Sequence, residues 1–325
     1  MLSERERLHN YCDDFIASKR AGGRSYARQE IHLRKFLEFC TPYTISDNLL
    51  SKEAVTVWCA VRGNESAKTR NGRAIPVREL ARYLNKRGIS AYVAPKIKKS
   101  YDRGFAPYIF TNRELAALFT AADARRENVV RPNHHYALPM MMRMIYACGL
   151  RRSEVVKLRI CDVDLDEGVV TVRNTKFGKD RLIPLHLAFQ QALREYANKE
   201  LNGIEDFTKP FFPTSTGNFY ESGSVYGAFR KFLDDAGISH GGKDKGPRLH
   251  DLRHTFAVNC LNNWVKDGND ITAAVPYLAA YLGHTHFRHS QVYLRLTADM
   301  FPDIVSKIEQ KFDVFPVWEG NYETD

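Results

Sequence analysis

The chain has 325 residues, of which 44% are hydrophobic and 26% are charged, a composition typical of globular proteins at a length that favours two domains. No apolar run is long enough to span a bilayer, and the charged amino terminus lacks the apolar core of a secretory signal, so we expect a cytoplasmic protein without membrane contact. The six cysteines are scattered without a C-x-x-C pair, which disfavours a disulfide framework and a zinc ribbon.

The net charge of +10 is unevenly distributed along the chain. Residues 1–106 hold 21 Lys and Arg against 11 Asp and Glu, whereas residues 107–325 hold 27 of each. A basic excess confined to the first third indicates a module that binds a polyanion, followed by a neutral module with another task. Because any basic solvated surface carries the same charge, this observation alone does not identify nucleic acid as the partner.

The first 93 residues are predicted to form a helical, basic core-DNA-binding domain. Apolar residues recur at helical spacing from Leu8 to Ile16, and Gly22 with Gly23 ends this first helix. Ser25 is suited to cap the second helix. The second, third and fourth helices are predicted to run through residues 31–39, 52–61 and 66–87, the last ending at Gly88.

The fourth helix and the segment after it carry the candidate contacts to phosphate groups. Dense basic side chains are what a helix lying against a DNA backbone needs. The candidates in this helix are Lys68, Arg70, Arg73, Arg78 and Arg82. Residues 94–107 combine prolines, glycine and lysines without apolar periodicity, which predicts an interdomain linker that itself touches the backbone. Positions 97 and 99 of this linker are the last two candidates. Position 99 carries a lysine, Lys99, whereas position 97 carries an apolar residue, Ile97, which has no charge to offer a phosphate.

Residues 108–325 are predicted to form a second, catalytic domain. Thr111 and Glu114 form a capping box, T-N-R-E, which marks the start of its first helix. The turn from Asp166 to Gly168 separates two short β runs, and the sequence TKFGKD forms a second turn before RLIPL. The predicted fold class is therefore mainly α, with a small antiparallel β-sheet in the second domain.

Two basic positions in this domain have the chemistry of phosphate ligands. Arg151, in the sequence GLRRSE, follows a glycine that stops one helix and stands near the start of the next. A guanidinium there can bind a phosphate with two hydrogen bonds, although an exposed basic turn would have the same sequence. Lys176 lies in the turn between the last two strands, where Lys179 is the competing candidate and solvated lysines are common.

The sequence LHDLRHTFA places His250 and Arg253 on one face of a helix, because residues three apart lie on the same side. The two side chains can therefore point at one ligand. His250 and His254 also have the four-residue spacing of a zinc-binding H-E-x-x-H helix. Zinc is disfavoured because Asp251 stands where the glutamate would be and Arg253 would repel a cation.

A fourth pattern, YLGHTHFRHSQVYLRL, ends a helix at Gly283, continues with His284 and reaches Tyr293 nine residues later. A phenol can act as a nucleophile in covalent catalysis, although most of the 16 tyrosines in the chain fill cores or surfaces. Taken singly, each of the four patterns also fits an ordinary surface or core. Their order along the chain separates them from that alternative.

In this order the four patterns resemble those of the tyrosine recombinase (lambda-type integrase) family, which includes the Xer resolvases and many phage and transposon integrases. The resemblance covers residues 107–300 well, and residues 1–106 only as a helical, basic core-binding module. It implies two domains that close as a C-shaped clamp around DNA. It also implies six catalytic residues, the last of them the nucleophile: Arg151, Lys176, His250, Arg253, His284 and Tyr293.

The resemblance further implies cleavage through a covalent 3′-phosphotyrosine and strand exchange through a Holliday junction, with no metal, ATP or other cofactor. The implied partners are double-stranded DNA with a specific recombination site, other copies of the chain in a tetramer, and accessory proteins. An apolar stripe from Phe301 to Phe312 predicts a C-terminal helix at about residues 300–313. This helix packs either on its own domain or on a neighbouring protomer.

The biological role is less narrowly implied than the chemistry. The stretch 268–284 is longer than in the simplest Xer members and contains Pro276, which favours a transposon-associated integrase for integration, excision or transposition of a mobile element. The enzymatic alternatives are an Xer-like resolvase, a topoisomerase IB-like nicking-closing enzyme and a telomere resolvase. A catalytically silent DNA-binding regulator is the alternative from another class, and the presence of all six residues argues against it.

Overall fold

The fold divides into two units, each with a hydrophobic core of its own. The computed structural model describes residues 3–23, 25–43, 49–97, 107–127, 129–173, 180–242 and 246–283. The division falls between Phe105 and Ala106. None of the helices in these described ranges is both long and apolar enough to cross a membrane.

The amino-terminal unit is helical in its described residues, as the periodicity predicts. Its helices are α1 (Glu4–Ala21), α2 (Ala27–Phe39), α3 (Lys52–Cys59) and α4 (Ala67–Asn85). Three of them begin where a serine side chain accepts a hydrogen bond from a backbone N–H of the first turn, which is why these helices start where they do. These capping serines are Ser3, Ser51 and Ser66.

The start of α2 differs from the prediction that Ser25 caps it. The cap position is Tyr26, whose backbone has a left-handed φ of 47° and whose side chain makes no capping hydrogen bond. The Tyr26 ring is instead buried edge-on against Phe15, and its hydroxyl donates to Glu79 at 3.1 Å. Burial of an aromatic ring therefore decides this boundary over the local capping preference of serine.

The prediction that Arg73 and Arg78 contact phosphate is wrong, because both side chains lie inside this unit. Arg73 donates from Nε and Nη2 to the carboxylate of Glu65, at 2.8 and 2.6 Å. Arg78 donates to the backbone carbonyl oxygens of Ala94 and Pro95, at 3.0 and 2.9 Å. Both guanidiniums are buried, so they stabilise the unit and do not face a duplex.

The other candidate phosphate contacts divide by exposure. Arg70 is half-buried and donates through Nε to the carbonyl of Cys59 at 2.7 Å. Lys68 and Arg82 are exposed on α4 and stay predicted contacts. Ile97 packs against the amino-terminal core, which excludes position 97 as a phosphate contact. Lys99 lies outside the described residues.

The segment predicted to be a linker begins within the amino-terminal unit. Ala94 is buried in its core, and the carbonyls of Ala94 and Pro95 accept the hydrogen bonds of Arg78. Pro107 is also buried, and Tyr108 and Phe110 belong to the core of the carboxy-terminal unit. Residues 98–106, between these two groups, lie outside the described residues, and a linker there stays a prediction.

The carboxy-terminal unit combines helices with one small sheet, which confirms the predicted fold class. Its helices are α5 (Asn112–Asp123), α6 (His134–Ala147), α7 (Arg152–Val155), α8 (Leu187–Glu200), α9 (Ser222–Asp235), α10 (Asp251–Lys266) and α11 (Ile271–Leu282), with a 3₁₀ turn at Ile160–Asp162. Thr111 caps α5 in the predicted box with Glu114: each side chain accepts a hydrogen bond from the other's backbone N–H.

The sheet consists of β1 (Val163–Asp164), β2 (Val169–Val172) and β3 (Arg181–Pro184), in that order and antiparallel. Val170 pairs with Ile183, and both face the core, whereas Leu182 faces solvent. The alternation follows from the two-residue period of a strand. Val172 at the end of β2 pairs with Arg181 at the start of β3 in the β2–β3 hairpin, and residues 174–179 between the two strands lie outside the described residues.

Helix α6 packs against α5, α8, α9 and α10 in the main core, while α10 and α11 share a smaller apolar cluster. The turn from α6 to α7 passes very close to α10. Gly149 in this turn has φ +59°, and a Cβ there would lie 2.6 Å from Cδ1 of Phe256. Glycine is required at this position both for the backbone angle and for the space. This close approach brings the start of α7 to the start of α10.

Candidate active site

Three of the six predicted catalytic residues lie in the described part of the chain, at the starts of two helices. Arg151 is the N-cap residue of α7, directly after the Gly149 turn. His250 is the N-cap residue of α10, and Arg253 lies in the first turn of the same helix. Lys176, His284 and Tyr293 lie outside the described residues, so their positions stay predictions.

Arg253 is buried, with 1% of its surface exposed, and its guanidinium joins two parts of the chain. Nη1 donates to the carbonyl oxygen of Gly149 at 2.5 Å, and Nη2 donates to the carbonyl oxygen of Leu282 at 2.6 Å. A guanidinium stays protonated at any physiological pH, so these two carbonyls hold a permanent positive charge at the end of α11.

Arg151 reaches the same helix end from the other side of the Gly149 turn. Its Nη2 donates to the carbonyl oxygen of Gly283 at 3.0 Å, one residue beyond the carbonyl that Arg253 holds. Its Nη1 donates to Glu154 at 2.7 Å, and the side chain is 31% exposed. Two predicted arginines that are 102 positions apart in sequence therefore meet at consecutive carbonyls, immediately before His284.

Glu154 and Arg181 complete this cluster, and neither was among the predicted site residues. Nη1 and Nη2 of Arg181 donate to the two carboxylate oxygens of Glu154 at 2.9 and 2.7 Å, a two-pronged ion pair in which both side chains are nearly buried. Burial acts to raise the pKa of Glu154, but the hydrogen bonds from Arg181 and Arg151 outweigh it and lower this pKa to about 2. Glu154 is therefore a carboxylate at neutral pH.

The pKa of His250 is lowered to about 4. The largest cause is desolvation of the imidazole by the protein packed around it, and the positive charges of Arg253, Arg151 and Arg248 act in the same direction. The imidazole is consequently neutral at pH 7, although part of the residue stays accessible to solvent. A neutral ring can accept a proton from a substrate or nucleophile. Its position beside the two arginines puts a base next to a site for an anion.

The zinc alternative gains no third ligand in the described residues. The rings of His250 and His254 lie edge to face with centroids 4.7 Å apart. No group of three His, Cys, Asp or Glu side chains comes together at ligand distance within the described ranges. The nearest charges around His250 are arginines, which oppose a bound cation.

The cluster carries more positive than negative charge. Arg151, Arg181 and Arg253 contribute three guanidiniums, against the one carboxylate of Glu154. Arg151 is the most exposed of these arginines, and it has both a fixed partner and contact with solvent. Such an arrangement is suited to an anionic ligand with several oxygen acceptors, such as a phosphodiester.

Comparison with solved structures finds proteins of similar fold. The lambda integrase tetramer bound to a Holliday junction matches with a TM-score of 0.61, over 88% of this chain and 76% of that chain. The sequence identity is 15%, so the likeness extends to the fold alone.

Sequence comparisons identify the family. The model of the phage integrase family matches residues 109–300. A protein of Sinorhizobium fredii, provisionally named integrase/recombinase y4rB, is 30% identical over 64% of this chain and 67% of its own length. The tyrosine recombinase XerA of Thermococcus kodakarensis is 28% identical over 58% of this chain and 61% of its own. The chain belongs to the phage integrase family, which confirms the assignment made from the four patterns. The chain aligns with about three fifths to two thirds of the length of these relatives.

Proposed function

We propose that this chain is a site-specific tyrosine recombinase that cuts and rejoins DNA with Tyr293 as its nucleophile. The observation that carries the proposal is the meeting of Arg151 and Arg253 at the consecutive carbonyls of Gly283 and Leu282. These arginines come from separate sequence patterns, and the chain continues from Gly283 into the pattern that contains Tyr293. Family membership supports the same activity.

In this reaction the arginines replace the metal ion that many other phosphoryl-transfer sites use. The Tyr293 oxygen attacks the scissile phosphorus and displaces the 5′ oxygen, leaving a 3′-phosphotyrosine. Negative charge gathers on the non-bridging oxygens in the transition state, where the forked donors of Arg151 and Arg253 stabilise it. No metal or other cofactor has a part in this mechanism.

Two further residues transfer protons, and a third binds the phosphate. The neutral imidazole of His250 takes the proton from Tyr293, because its pKa of about 4 leaves the ring unprotonated at neutral pH. Lys176 supplies a proton to the departing 5′ oxygen, and His284 donates a hydrogen bond to the phosphate. In religation a 5′ hydroxyl attacks the phosphotyrosine and the transfers run in reverse, so no ATP is needed.

Strand exchange requires partners beyond one duplex. A 5′ hydroxyl from a second duplex attacks the phosphotyrosine, and two such exchanges pass through a Holliday junction held by a tetramer, the assembly in which lambda integrase has been solved. Lys68 and Arg82, which are exposed on the amino-terminal unit, contact the phosphate backbone of the duplex. The C-terminal helix at about residues 300–313 docks on a neighbouring protomer, and accessory proteins order the complex.

The element served is a mobile one, because Pro276 and the long approach to His284 resemble transposon-associated integrases. Integration, excision and transposition all use the same cleavage chemistry. Action on the element's DNA places the enzyme in the cytoplasm.

A selection for covalent adducts tests the proposal and finds the DNA site in the same experiment. The full chain is incubated in EDTA with a pool of nicked duplexes of random sequence, and DNA that stays attached to protein in SDS is recovered and sequenced. A nick just beyond the cleavage position lets the short strand diffuse away, so the adduct accumulates. We expect an enriched sequence, called here the selected duplex, that forms an adduct with the wild type.

Tyr293→Phe is the matched control, since it removes only the nucleophilic hydroxyl. We expect its adduct to vanish while binding to the selected duplex persists. An adduct that survives Tyr293→Phe contradicts the nucleophile, and cleavage that requires a divalent metal contradicts the mechanism. Incubation of the adduct with a second duplex bearing a 5′ hydroxyl must yield a joined recombinant strand; resealing of the original duplex alone indicates a nicking-closing enzyme.

A further inference from the structure

Arg181 occupies a junction between three parts of the carboxy-terminal unit. It is the first residue of β3 and pairs with Val172, the last residue of β2, in the β2–β3 hairpin. Its guanidinium binds Glu154, the residue that anchors Arg151. It also packs against Gly283, where an added Cβ would lie 3.1 Å from its Nη1. One side chain therefore links the hairpin, the start of α7 and the end of α11.

Four donors fix the orientation of the Glu154 carboxylate. Oε1 accepts from Nη1 of Arg151 at 2.7 Å and from Nη1 of Arg181 at 2.9 Å. Oε2 accepts from Nη2 of Arg181 at 2.7 Å and from the backbone N–H of Arg151 at 2.8 Å. Of these donors, Arg181 bridges both oxygens with one planar group, so it sets the plane of the carboxylate against which Arg151 rests.

Loss of Arg181 would change what Glu154 does to Arg151. A nearly buried carboxylate with its bridging partner removed keeps its charge chiefly through Arg151, which becomes its main cation. The Arg151 guanidinium would then be drawn toward Glu154 and away from the position in which it meets a phosphate. Because transition-state stabilisation depends on such positions, a small displacement slows the reaction more than it weakens binding.

We propose that Arg181 is a positioning residue for DNA cleavage, which holds Arg151 in place through the carboxylate of Glu154. The inference rests on the proposed function, since it assigns Arg151 to the scissile phosphate. Arg181 is assigned no contact with the phosphate, because Nη1 and Nη2 both donate to the Glu154 carboxylate, which compensates the charge of this guanidinium. The carbonyl oxygens of Gly149 and Leu282 that Arg253 binds carry no such formal charge.

The test measures the single-turnover rate of adduct formation on the selected duplex at saturating concentration, together with the affinity for the same duplex. Arg181→Ala is expected to slow adduct formation by about 10- to 100-fold, with a much smaller change in affinity. Arg181→Lys keeps the charge but cannot bridge both oxygens, so it is expected to restore only part of the rate. If Arg181→Ala does not fold, as judged by its thermal unfolding, Arg181→Lys carries the test.

Arg173→Ala is the matched control. Arg173 follows β2 across the hairpin from Arg181 and also forms an ion pair, with Asp162 at 2.5 Å. This pair is not connected to Glu154 or Arg151 by any hydrogen bond among the described residues. Its loss is expected to leave the adduct rate near the wild-type value, so a general loosening of the hairpin is separated from the effect of Arg181.

Two modified substrates identify the group through which Arg181 acts. A methylphosphonate at the scissile position replaces one charged non-bridging oxygen by methyl, which lowers the need for Arg151. A 5′-bridging phosphorothioate provides a leaving group that needs no proton, which lowers the need for Lys176. The defects of Arg181→Ala and of Arg151→Ala are both expected to shrink on the methylphosphonate and to persist on the phosphorothioate.

The outcomes separate this inference from the proposed function. A wild type that yields no adduct contradicts both. A wild-type adduct with an unchanged rate in Arg181→Ala and Arg181→Lys contradicts the role of Arg181 alone, as does an equal defect in Arg173→Ala. If the phosphorothioate restores the rate of Arg181→Ala and the methylphosphonate does not, the inference is also overturned, because Arg181 would then act through Lys176.

Discussion

Both units of this protein bury arginine, but with different consequences. In the amino-terminal unit Arg73 forms a closed pair with Glu65, and neither side chain is more than 9% exposed. In the carboxy-terminal unit the Glu154 carboxylate is shared between the nearly buried Arg181 and Arg151, which stays 31% exposed. The first arrangement satisfies its charges within the protein. The second leaves one cation in contact with solvent beside a neutral histidine.

The difference shows that burial of an arginine does not by itself indicate a functional site. A guanidinium used for stability, such as that of Arg73, has its charge matched by the protein around it. Arg151, which is assigned to the reaction, combines a fixed position with a side that a substrate can reach. Five predictions test this distinction, in order of decreasing effect.

Arg73→Ala is expected to lower the free energy of unfolding by about 3–5 kcal/mol, because it leaves the nearly buried Glu65 carboxylate without its cation. Denaturant unfolding measures the loss. The double variant with Glu65→Gln should recover much of it, since the uncompensated charge is gone. A double variant as unstable as the single one would contradict the closed-pair interpretation.

Arg253→Ala is expected to slow adduct formation on the selected duplex by about 10²- to 10³-fold, the loss seen when one preorganised donor to a developing charge is removed. Single-turnover kinetics on folded protein measures it. Arg253→Lys preserves the charge but not the fork, so its rate should stay far below that of the wild type. Near-normal cleavage by the lysine variant would show that Arg253 needs only its positive charge, and not its forked donors, for the reaction.

Gly149→Ala is expected to cost about 1–3 kcal/mol of stability, since a Cβ would meet Phe256 at 2.6 Å on a backbone with positive φ. Gly237→Ala is the matched control in the same unit: its φ is +67°, but a Cβ there meets nothing within 4 Å. Thermal unfolding should therefore separate the strain of the backbone angle from the clash. Equal losses in the two variants would show that the close approach to α10 has little energetic effect.

The pKa of His250 is expected to be about 4 in the free protein and to rise when DNA binds, because a phosphate opposes the surrounding arginine charge. The folded pKa lies below the ordinary value of 6.5, so the neutral ring contributes stability above pH 6.5 that is lost as the pH falls toward 4. NMR titration of the ring protons, assigned with His250→Gln, measures both values. A free-protein pKa near 6.5 would contradict the electrostatic description of the site.

Lys68→Gln is expected to have the smallest effect, a reduction of the slope of log affinity against log salt by about 1, as for one lost phosphate contact. The exposed position of Lys68 on α4 motivates the substitution. Arg78→Gln, on the same helix but buried, should lower stability without changing the slope. If the slope changes with Arg78→Gln and not with Lys68→Gln, then Arg78 contacts DNA and Lys68 does not, contrary to this prediction.

The sequence allows prediction wherever a local rule governs the outcome. The capping box of Thr111 and Glu114, the glycine after α1 and the turn between β1 and β2 depend on residues only a few positions apart. The family patterns likewise carry their information in short segments. Fold class and the catalytic candidates were therefore accessible without a structure.

The errors and omissions depend mainly on packing contacts that local spacing does not predict. Whether Arg73 faces solvent or Glu65 is decided by how α4 packs, which a count of basic residues does not include. The pair of Glu154 and Arg181 joins residues 27 positions apart, one in α7 and the other in β3. A carboxylate inside GLRRSE and an arginine directly after the lysine turn were visible as residues, but no local spacing connects them.

The contacts at the end of α11 have a consequence for how this region tolerates sequence change. Arg253 and Arg151 hold main-chain oxygens of Leu282 and Gly283, and every residue type supplies such an oxygen. Substitutions along α11 can therefore accumulate while both contacts persist. A single inserted or deleted residue would instead turn the helix end by about 100° and remove the oxygens from both guanidiniums. Point substitutions in α11 should therefore be tolerated better than a one-residue insertion or deletion within it.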